Sequence, residues 1–262
     1  MKLAANLSFL FTHLPLLDRV EAAKDAGFDG IELLFPYDQD PRAIRERAER
    51  FAMPVVQINS PPGNREAGEA GFASVPDRER EFHDSVRKAL AFLNDCGSSQ
   101  VHVLAGVPPQ GTDPLLVRDT YVARLQWAAD LAAASGVRIM IEPLNSRDMP
   151  GYALPTLADA ADVLSRVARP NVGLQFDLYH SQIMGGDLTC RITKFGPLIQ
   201  HVQIAGAPER NEPDRGEVNL LAVMRALAAT GYDRWISAEY RPSGATRDGL
   251  GWMRPVRELF AR

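Results

Sequence analysis

Four short apolar runs in the second half of the chain each carry an oxygen-bearing side chain at or near their ends. They are Ile139-Met140-Ile141-Glu142, Leu174-Gln175-Phe176-Asp177, His201-Val202-Gln203-Ile204 and Ile236-Ser237-Ala238-Glu239. If these runs are neighbouring parallel strands, Glu142, Asp177, Gln203 and Glu239 stand at one level. Three carboxylates brought that close repel one another, and a single divalent cation is the economical neutraliser. Hard oxygen donors favour Mg²⁺ or Mn²⁺ over zinc. A lone glutamate at a strand end more often faces a loop or an ion-pair partner, but chance must then act four times in succession. Gln203 is the least telling of the four, because an amide there could equally satisfy a neighbouring backbone group. His180 follows Asp177 by three residues. It is placed either to aim a ring N–H at a substrate oxygen or to cap the next helix. Asn6 ends the first apolar run and is a further candidate for substrate contact.

The elements that would position these residues alternate along the chain. Strands are expected at Leu3–Ser8, Gly30–Leu34, Val55–Asn59, Val101–Ala105, Arg138–Glu142, Val172–Phe176, His201–Ile204 and Trp235–Glu239. Several are near-continuous apolar runs, as parallel strands buried on both faces should be. Helical patterns lie between them at Leu16–Ala26, Pro41–Phe51, Arg78–Asn94, Pro114–Ala134, Leu157–Val167, Leu220–Ala229 and Thr246–Phe260, with a short one near Thr189–Phe195. Gly27, Gly97, Gly136 and Gly231 fall just past helical patterns, where a left-handed cap is wanted. Eight strand–helix units predict a (β/α)8 TIM barrel of one domain over residues 1–262, whose active site lies at the C-terminal strand ends. A doubly wound sheet is the competing arrangement, but no Gly-x-Gly-x-x-Gly follows the first strand. The irregular stretch Ser60–Asp77 is long enough to be functional or mobile, and would lie over the barrel mouth.

Composition removes several classes of function. The chain has 262 residues with 29 basic and 33 acidic side chains, a net charge of −4, which argues against nucleic-acid binding. Its two cysteines, Cys96 and Cys190, form no paired motif, so a disulfide framework and a cysteine zinc site are not expected. A reducing cytoplasm is the simplest compartment. No apolar run reaches the ~18 residues of a membrane span. The stretch from Leu3 to Leu17 is broken by Asn6, Ser8, Thr12, His13 and Pro15, and reads as a strand and loop rather than a leader. Glu32 sits inside an apolar strand, where it must be paired, either supporting the site from behind or meeting an arginine at the barrel floor. His201 reads as inward-facing but low in the barrel, His102 as facing either way, and Phe35-Pro36-Tyr37-Asp38 as a wall of the pocket.

The chain resembles the hydroxypyruvate isomerase family of the xylose-isomerase-like barrels over essentially its whole length. The resemblance is carried by Ala5-Asn6-Leu7-Ser8, Phe35-Pro36-Tyr37-Asp38, Ile141 to Asn145 with Asp148 to Tyr152, and Phe176 to Gln182. Gly186-Asp187-Leu188, His201 to Ala205, and Pro208 to Pro213 leading to Gly216-Glu217 extend it. It implies that Glu142, Asp177, Gln203 and Glu239 hold one Mg²⁺ or Mn²⁺ ion and that Glu142 and Glu239 act as the acid/base pair. One loop departs. Where the family reads like Pro-Ala-Gly-Asp-Trp-Ala-Ala-Gly-Glu-Arg-Gly, this chain has Pro61-Pro62-Gly63-Asn64-Arg65-Glu66-Ala67-Gly68-Glu69-Ala70-Gly71.

The implied reaction is an aldose–ketose shift on a small α-hydroxy-carbonyl acid, hydroxypyruvate to tartronate semialdehyde first, through an enediolate. A 2-oxo-tetronate isomerase or a sugar epimerase would use the same machinery. A substrate carboxylate needs a basic partner away from the acidic cluster. Arg65 and Arg210 are the preferred pair, with Arg65 compensating for Ala70, whereas Arg215 reads as a solvated surface residue. A non-catalytic sugar-acid-binding barrel would not need two inward glutamates. An endonuclease-like barrel would need a cluster of zinc-binding histidines, and this chain has five histidines in all, few at strand ends. Partners are therefore expected to be a small hydroxy or oxo acid, with no nucleic acid and no membrane; exposed apolar faces could support a homo-oligomer.

Overall fold

A computed structural model describes residues 1–260. Eight parallel strands close into a barrel in sequence order. They are β1 (Lys2–Asn6), β2 (Gly30–Leu33), β3 (Val55–Asn59), β4 (Gln100–His102), β5 (Arg138–Ile141), β6 (Val172–Asp177), β7 (Ile199–Ile204) and β8 (Trp235–Ala238). Around them run α1 (Leu16–Asp25), α2 (Pro41–Arg50), α3 (Glu79–Cys96), α4 (Pro114–Ala133), α5 (Leu157–Val167), α6 (Leu178–Gly185), α7 (Leu188–Phe195), α8 (Leu220–Ala229) and α9 (Met253–Phe260). The expected eight-unit barrel is therefore the observed fold.

Two helix assignments need correction. The sixth unit carries two helices rather than one, because α6 starts directly at Asp177 without an intervening loop. The expected final helix from Thr246 is split into a short 3₁₀ turn and α9, with Gly249 and Gly251 at the break. Helix starts elsewhere follow side-chain chemistry. Asp40, Asp113, Thr156 and Asn219 each accept a backbone N–H of the first turn of α2, α4, α5 and α8.

The strands alternate more than apolar runs suggest. Leu3, Ala5, Ile31, Leu33, Ile58, Val101, Ile139, Ile141, Leu174, Phe176, Val202, Ile204, Ile236 and Ala238 belong to the hydrophobic core shared with the helices. The residues between them include Asn6, Glu32, Gln57, Gln100, Gln175, His201 and Gln203, all buried and meeting inside the barrel. A TIM barrel commonly fills its interior with branched apolar layers. This one fills it with hydrogen-bonded polar side chains, so the interior leads continuously into the site.

The stretch over the mouth is tied down at its C-terminal half. Gly71 bridges to Ala105 across φ +100°, and a Cβ at Gly71 would lie 2.4 Å from Leu104. Arg124 of α4 is buried and donates to the carbonyls of Phe72, Val75 and Pro76 at 2.5–2.6 Å. Hydrogen bonds from a charged donor contribute about 1.5–3 kcal/mol each. The exposed residues Asn64–Gly68 stand out from this anchor.

Candidate active site

Above the polar interior, Glu142 follows β5, Asp177 ends β6 and Glu239 follows β8, all at least nine-tenths buried. Asp177 does two things at once. Its Oδ1 caps α6 by accepting the backbone N–H of His180 at 3.0 Å, and its Oδ2 accepts no hydrogen bond, with the Arg210 guanidinium 3.8 Å away. Glu142 Oε2 accepts from Gln175 Nε2 at 2.7 Å, and its Oε1 is likewise buried and unpartnered. Donor atoms of Glu142, Asp177 and His180 lie within 4.8 Å of one another, a group that could hold a metal ion. These two carboxylate oxygens fit a hard divalent cation, because an anionic oxygen buried without a hydrogen bond is costly.

Gln203 and Glu239 complete the level read from the strand ends. Asp177 and Gln203 are register partners across β6 and β7. Gln203 Oε1 accepts from Gln175 at 2.7 Å, and its Nε2 donates to Glu239 Oε2 at 2.5 Å and to Glu32. The amide thus spans the two halves of the cluster. Asn6 lies behind Glu239 rather than on the cavity wall: its Nδ2 donates to Glu239 Oε2 at 2.8 Å and to Glu32 Oε1 at 2.9 Å. Glu32 meets His201, at 2.7 Å, and no arginine among the described residues. That corrects the floor-arginine alternative and makes Glu32 a support of Asn6 and Gln203.

His180 is buried in the first turn of α6. Its Nδ1 faces the backbone N–H of Asn145 at 3.1 Å and the Asn145 side-chain amide at 2.7 Å. Two donors onto Nδ1 put the ring proton on Nε2, where it can be donated to a ligand oxygen. Burial, with Arg210 nearby, pushes its pKa down to about 3, so the ring is neutral.

Arg210 arches over the carboxylates from the β7–α8 connection, with φ at +57°. Arg241 N donates to its carbonyl at 2.8 Å, and buried Glu212 ties the same connection to Ser243 at 3.0 and 3.1 Å. The guanidinium sits between the rings of Phe9 and Tyr179 and donates to Glu239 Oε1 at 2.6 Å, while its Nε has no partner. A non-glycine residue at positive φ is strained, and such residues cluster at functional sites.

The electrostatics follow from this burial. Desolvation pushes Glu142 well above the usual carboxylate range, and Asp177 and Glu239 add to it. Desolvation likewise raises Glu239, with Arg210 opposing. Asp177 rises to about 6, chiefly by burial. Burial also opposes the charge on Glu32, but His201, with hydrogen bonds from Ser237 and Gln203, outweighs it and leaves Glu32 below its ordinary value.

A cavity of about 280 Å³ opens onto Glu142, Glu239, His180 and Arg210. Phe35 and exposed Arg65 line it from the departing loop side, with the Arg65 guanidinium 5.5 Å from the Phe35 ring centre. Tyr37 turns away, donating to the Asn59 carbonyl at 2.5 Å. Arg215 is exposed and joins Ser243 and Glu212 outside the cavity. Wall residues that sequence reasoning did not single out for the site include Asn59, His102, Asp148 and Arg241. The strand-end position of Asn59 was a signal for the first of these.

Residues 20–256 match the model of the xylose isomerase-like TIM barrel family. A 2-oxo-tetronate isomerase of Cupriavidus necator is 41% identical over 97% of this chain and 98% of its own length. Hydroxypyruvate isomerase of Escherichia coli is 35% identical over 98% of this chain and all of its own length. A crystal structure of AP endonuclease, family 2, from Brucella melitensis superposes with a TM-score of 0.94 at 42% identity, covering 97% and 98% of the two chains. With that identity over whole chains, this protein is an isomerase-type (β/α)8 barrel that belongs to the hydroxypyruvate/2-oxo-tetronate isomerase family of the xylose isomerase-like TIM barrels.

Proposed function

We propose that the chain isomerises a small 2-oxo-3-hydroxy acid, hydroxypyruvate or its four-carbon 2-oxo-tetronate relative, with one glutamate taking a proton from C3 and another giving one to C2. The observation that carries this reading is the pair of buried carboxylate oxygens on Glu142 and Asp177 that accept no hydrogen bond, next to the cavity that Glu142 and Glu239 line. Glu142 and Asp177, with Gln203 and Glu239, would hold one Mg²⁺ or Mn²⁺ ion. When bound, such an ion polarises a carbonyl and an adjacent hydroxyl as a Lewis acid.

The residues of the chain then divide the work. One of Glu142 and Glu239 removes the proton from the hydroxyl-bearing carbon, C3, leaving an enediolate. The other delivers a proton to C2, while the hydroxyl proton passes from O3 to O2, so the product is the 3-oxo isomer. Carboxyls raised above their ordinary range hold a proton more readily than exposed ones, which suits groups that must both take and give one. His180 Nε2–H donates to a substrate oxygen. The free Nε of Arg210, together with Arg65, faces the substrate carboxylate.

The likeness to an AP endonuclease carries less weight at the site. His13 is exposed, His83 stacks on Trp127 at 3.9 Å, and His201 is buried against Glu32. Only His102 and His180 reach the cavity, and the net charge of −4 opposes a duplex. Turnover of hydroxypyruvate and of 2-oxo-tetronates, with Mn²⁺ or Mg²⁺ and again with chelator, tests the reading. Metal-dependent isomerisation of either acid supports it, and inertness toward both removes it.

Arg65→Ala should raise KM for the acid while leaving metal affinity unchanged. Loss of one charge-assisted contact costs about 1.5–3 kcal/mol, roughly ten- to a hundredfold. An unaltered kcat/KM would show that this loop does not hold the carboxylate.

A further inference from the structure

Two polar side chains of the cavity wall have no part in the reaction described above. Asn59 ends β3, His102 ends β4, and they are register partners across that strand pair. Both line the cavity that reaches Glu142. Asn59 is 6% exposed, and its Oδ1 accepts no hydrogen bond. Neither ring nitrogen of His102 has a hydrogen bond, although Nδ1 lies 3.1 Å from Glu142 Oε2. Buried polar atoms nearly always find a partner, and each exception asks for an explanation. Here the exceptions stand side by side on the wall of a substrate cavity.

Their chemistry narrows what could complete them. The bare oxygen of Asn59 needs a donor, which excludes a carboxylate and suits a hydroxyl. A neutral imidazole offers one donor and one acceptor. A hydroxyl can give to the amide oxygen and take from the ring, so one O–H group answers both side chains.

We propose that Asn59 and His102 form a hydroxyl-recognition subsite for the carbon next to the reacting pair, so that the chain selects a four-carbon 2-oxo-3,4-dihydroxy acid over the three-carbon acid. The inference rests on the isomerase reading of the site. On that reading the carbonyl and C3 hydroxyl belong to the acidic cluster, and the carboxylate belongs to the arginines. A three-carbon acid then has no oxygen left for Asn59, whereas a four-carbon acid brings the C4 hydroxyl. The cavity of about 280 Å³ has room for the added carbon and its hydroxyl. Sites built to hydrogen-bond a substrate hydroxyl reject analogues lacking it by up to about 10⁴–10⁵-fold, because the protein groups are left unpaired.

The test is kcat/KM for both acids with the Mn²⁺-loaded full chain, as wild type, Asn59→Ala and Asn59→Ser. The wild type should prefer the four-carbon acid by roughly 100-fold or more. Asn59→Ala should cut that ratio by at least about tenfold, and Asn59→Ser, which keeps a hydroxyl partner, should recover part of it. Equal kcat/KM on the two acids in the wild type overturns the subsite and leaves the isomerase reading standing. A ratio that Asn59→Ala does not change overturns it as well. Turnover of neither acid overturns the isomerase reading, and the subsite with it. If Asn59→Ala does not fold, the wild-type ratio and the serine variant decide the matter.

Discussion

Glu142→Gln is expected to lower kcat by about 10³-fold or more while leaving the metal-free barrel at least as stable as wild type. A positioned acid or base contributes typically about 10²–10⁴-fold, and loss of a metal-holding oxygen adds to that. Stability should move the other way because Glu142 is buried beside Asp177 and Glu239, and its charge is disfavoured there. A glutamine keeps the shape and can still accept from Gln175, whose Nε2 lies 2.7 Å from Glu142 Oε2. Glu239→Gln should lose turnover comparably but cost the fold more. Glu239 takes Asn6 and Gln203 on one oxygen and Arg210 on the other. A glutamine must set its NH₂ against one of these donors, a loss of about 1–3 kcal/mol. Rate measurements and thermal unfolding on the same preparations check both variants. Wild-type kcat in either one removes that glutamate from the mechanism.

Stabilisation by Mn²⁺ should grow steeply from pH 5 to pH 8. Asp177 has its pKa raised from 3.8 to about 6, and Glu142 and Glu239 are pushed well above their ordinary values. A carboxyl whose pKa is higher folded than unfolded binds protons on folding. Its stabilising effect is therefore complete below about pH 4 and is lost as pH rises through 6. Metal-free protein should thus become less stable across that window. A cation needs the deprotonated oxygens, so protons compete with it at pH 5 and not at pH 8. At a concentration 100 times Kd the gain is about 2.7 kcal/mol, or about 5–10 °C for a chain of this size. Chelation should abolish turnover with the barrel still folded, and Mn²⁺ or Mg²⁺ should restore it better than Zn²⁺. An equal Tm gain at both pH values, or full turnover after demetallation, would contradict this account.

The part of the site that was legible in the sequence is the part set by strand ends. Glu142, Asp177 and Glu239 each close a short apolar run, and barrel topology brings such positions together without further information. Cross-barrel contacts were not legible. Glu32 and His201 are 169 residues apart, and Gln57 and Gln175 are 118 apart, so nothing local marks them as partners. His102 lies on a strand of only three residues, too short for alternation to reveal which way it faces. The donor role proposed for His180 depends on Asn145, 35 residues earlier, because the bonds onto Nδ1 select the tautomer. The extra helix α6 escaped because Leu178–Gly185 has little amphipathic pattern and its cap, Asp177, was read only as a site residue.

On the proposed mechanism one carboxylate takes the proton from C3 and a second delivers another to C2, in place of a direct hydrogen shift. Turnover in D₂O with Mn²⁺, followed by measurement of deuterium at the receiving carbon of the product, tests it most directly. Removal by one glutamate and delivery by the other predicts close to one deuterium per turnover. Product that retains the substrate's own hydrogen at that carbon would contradict it.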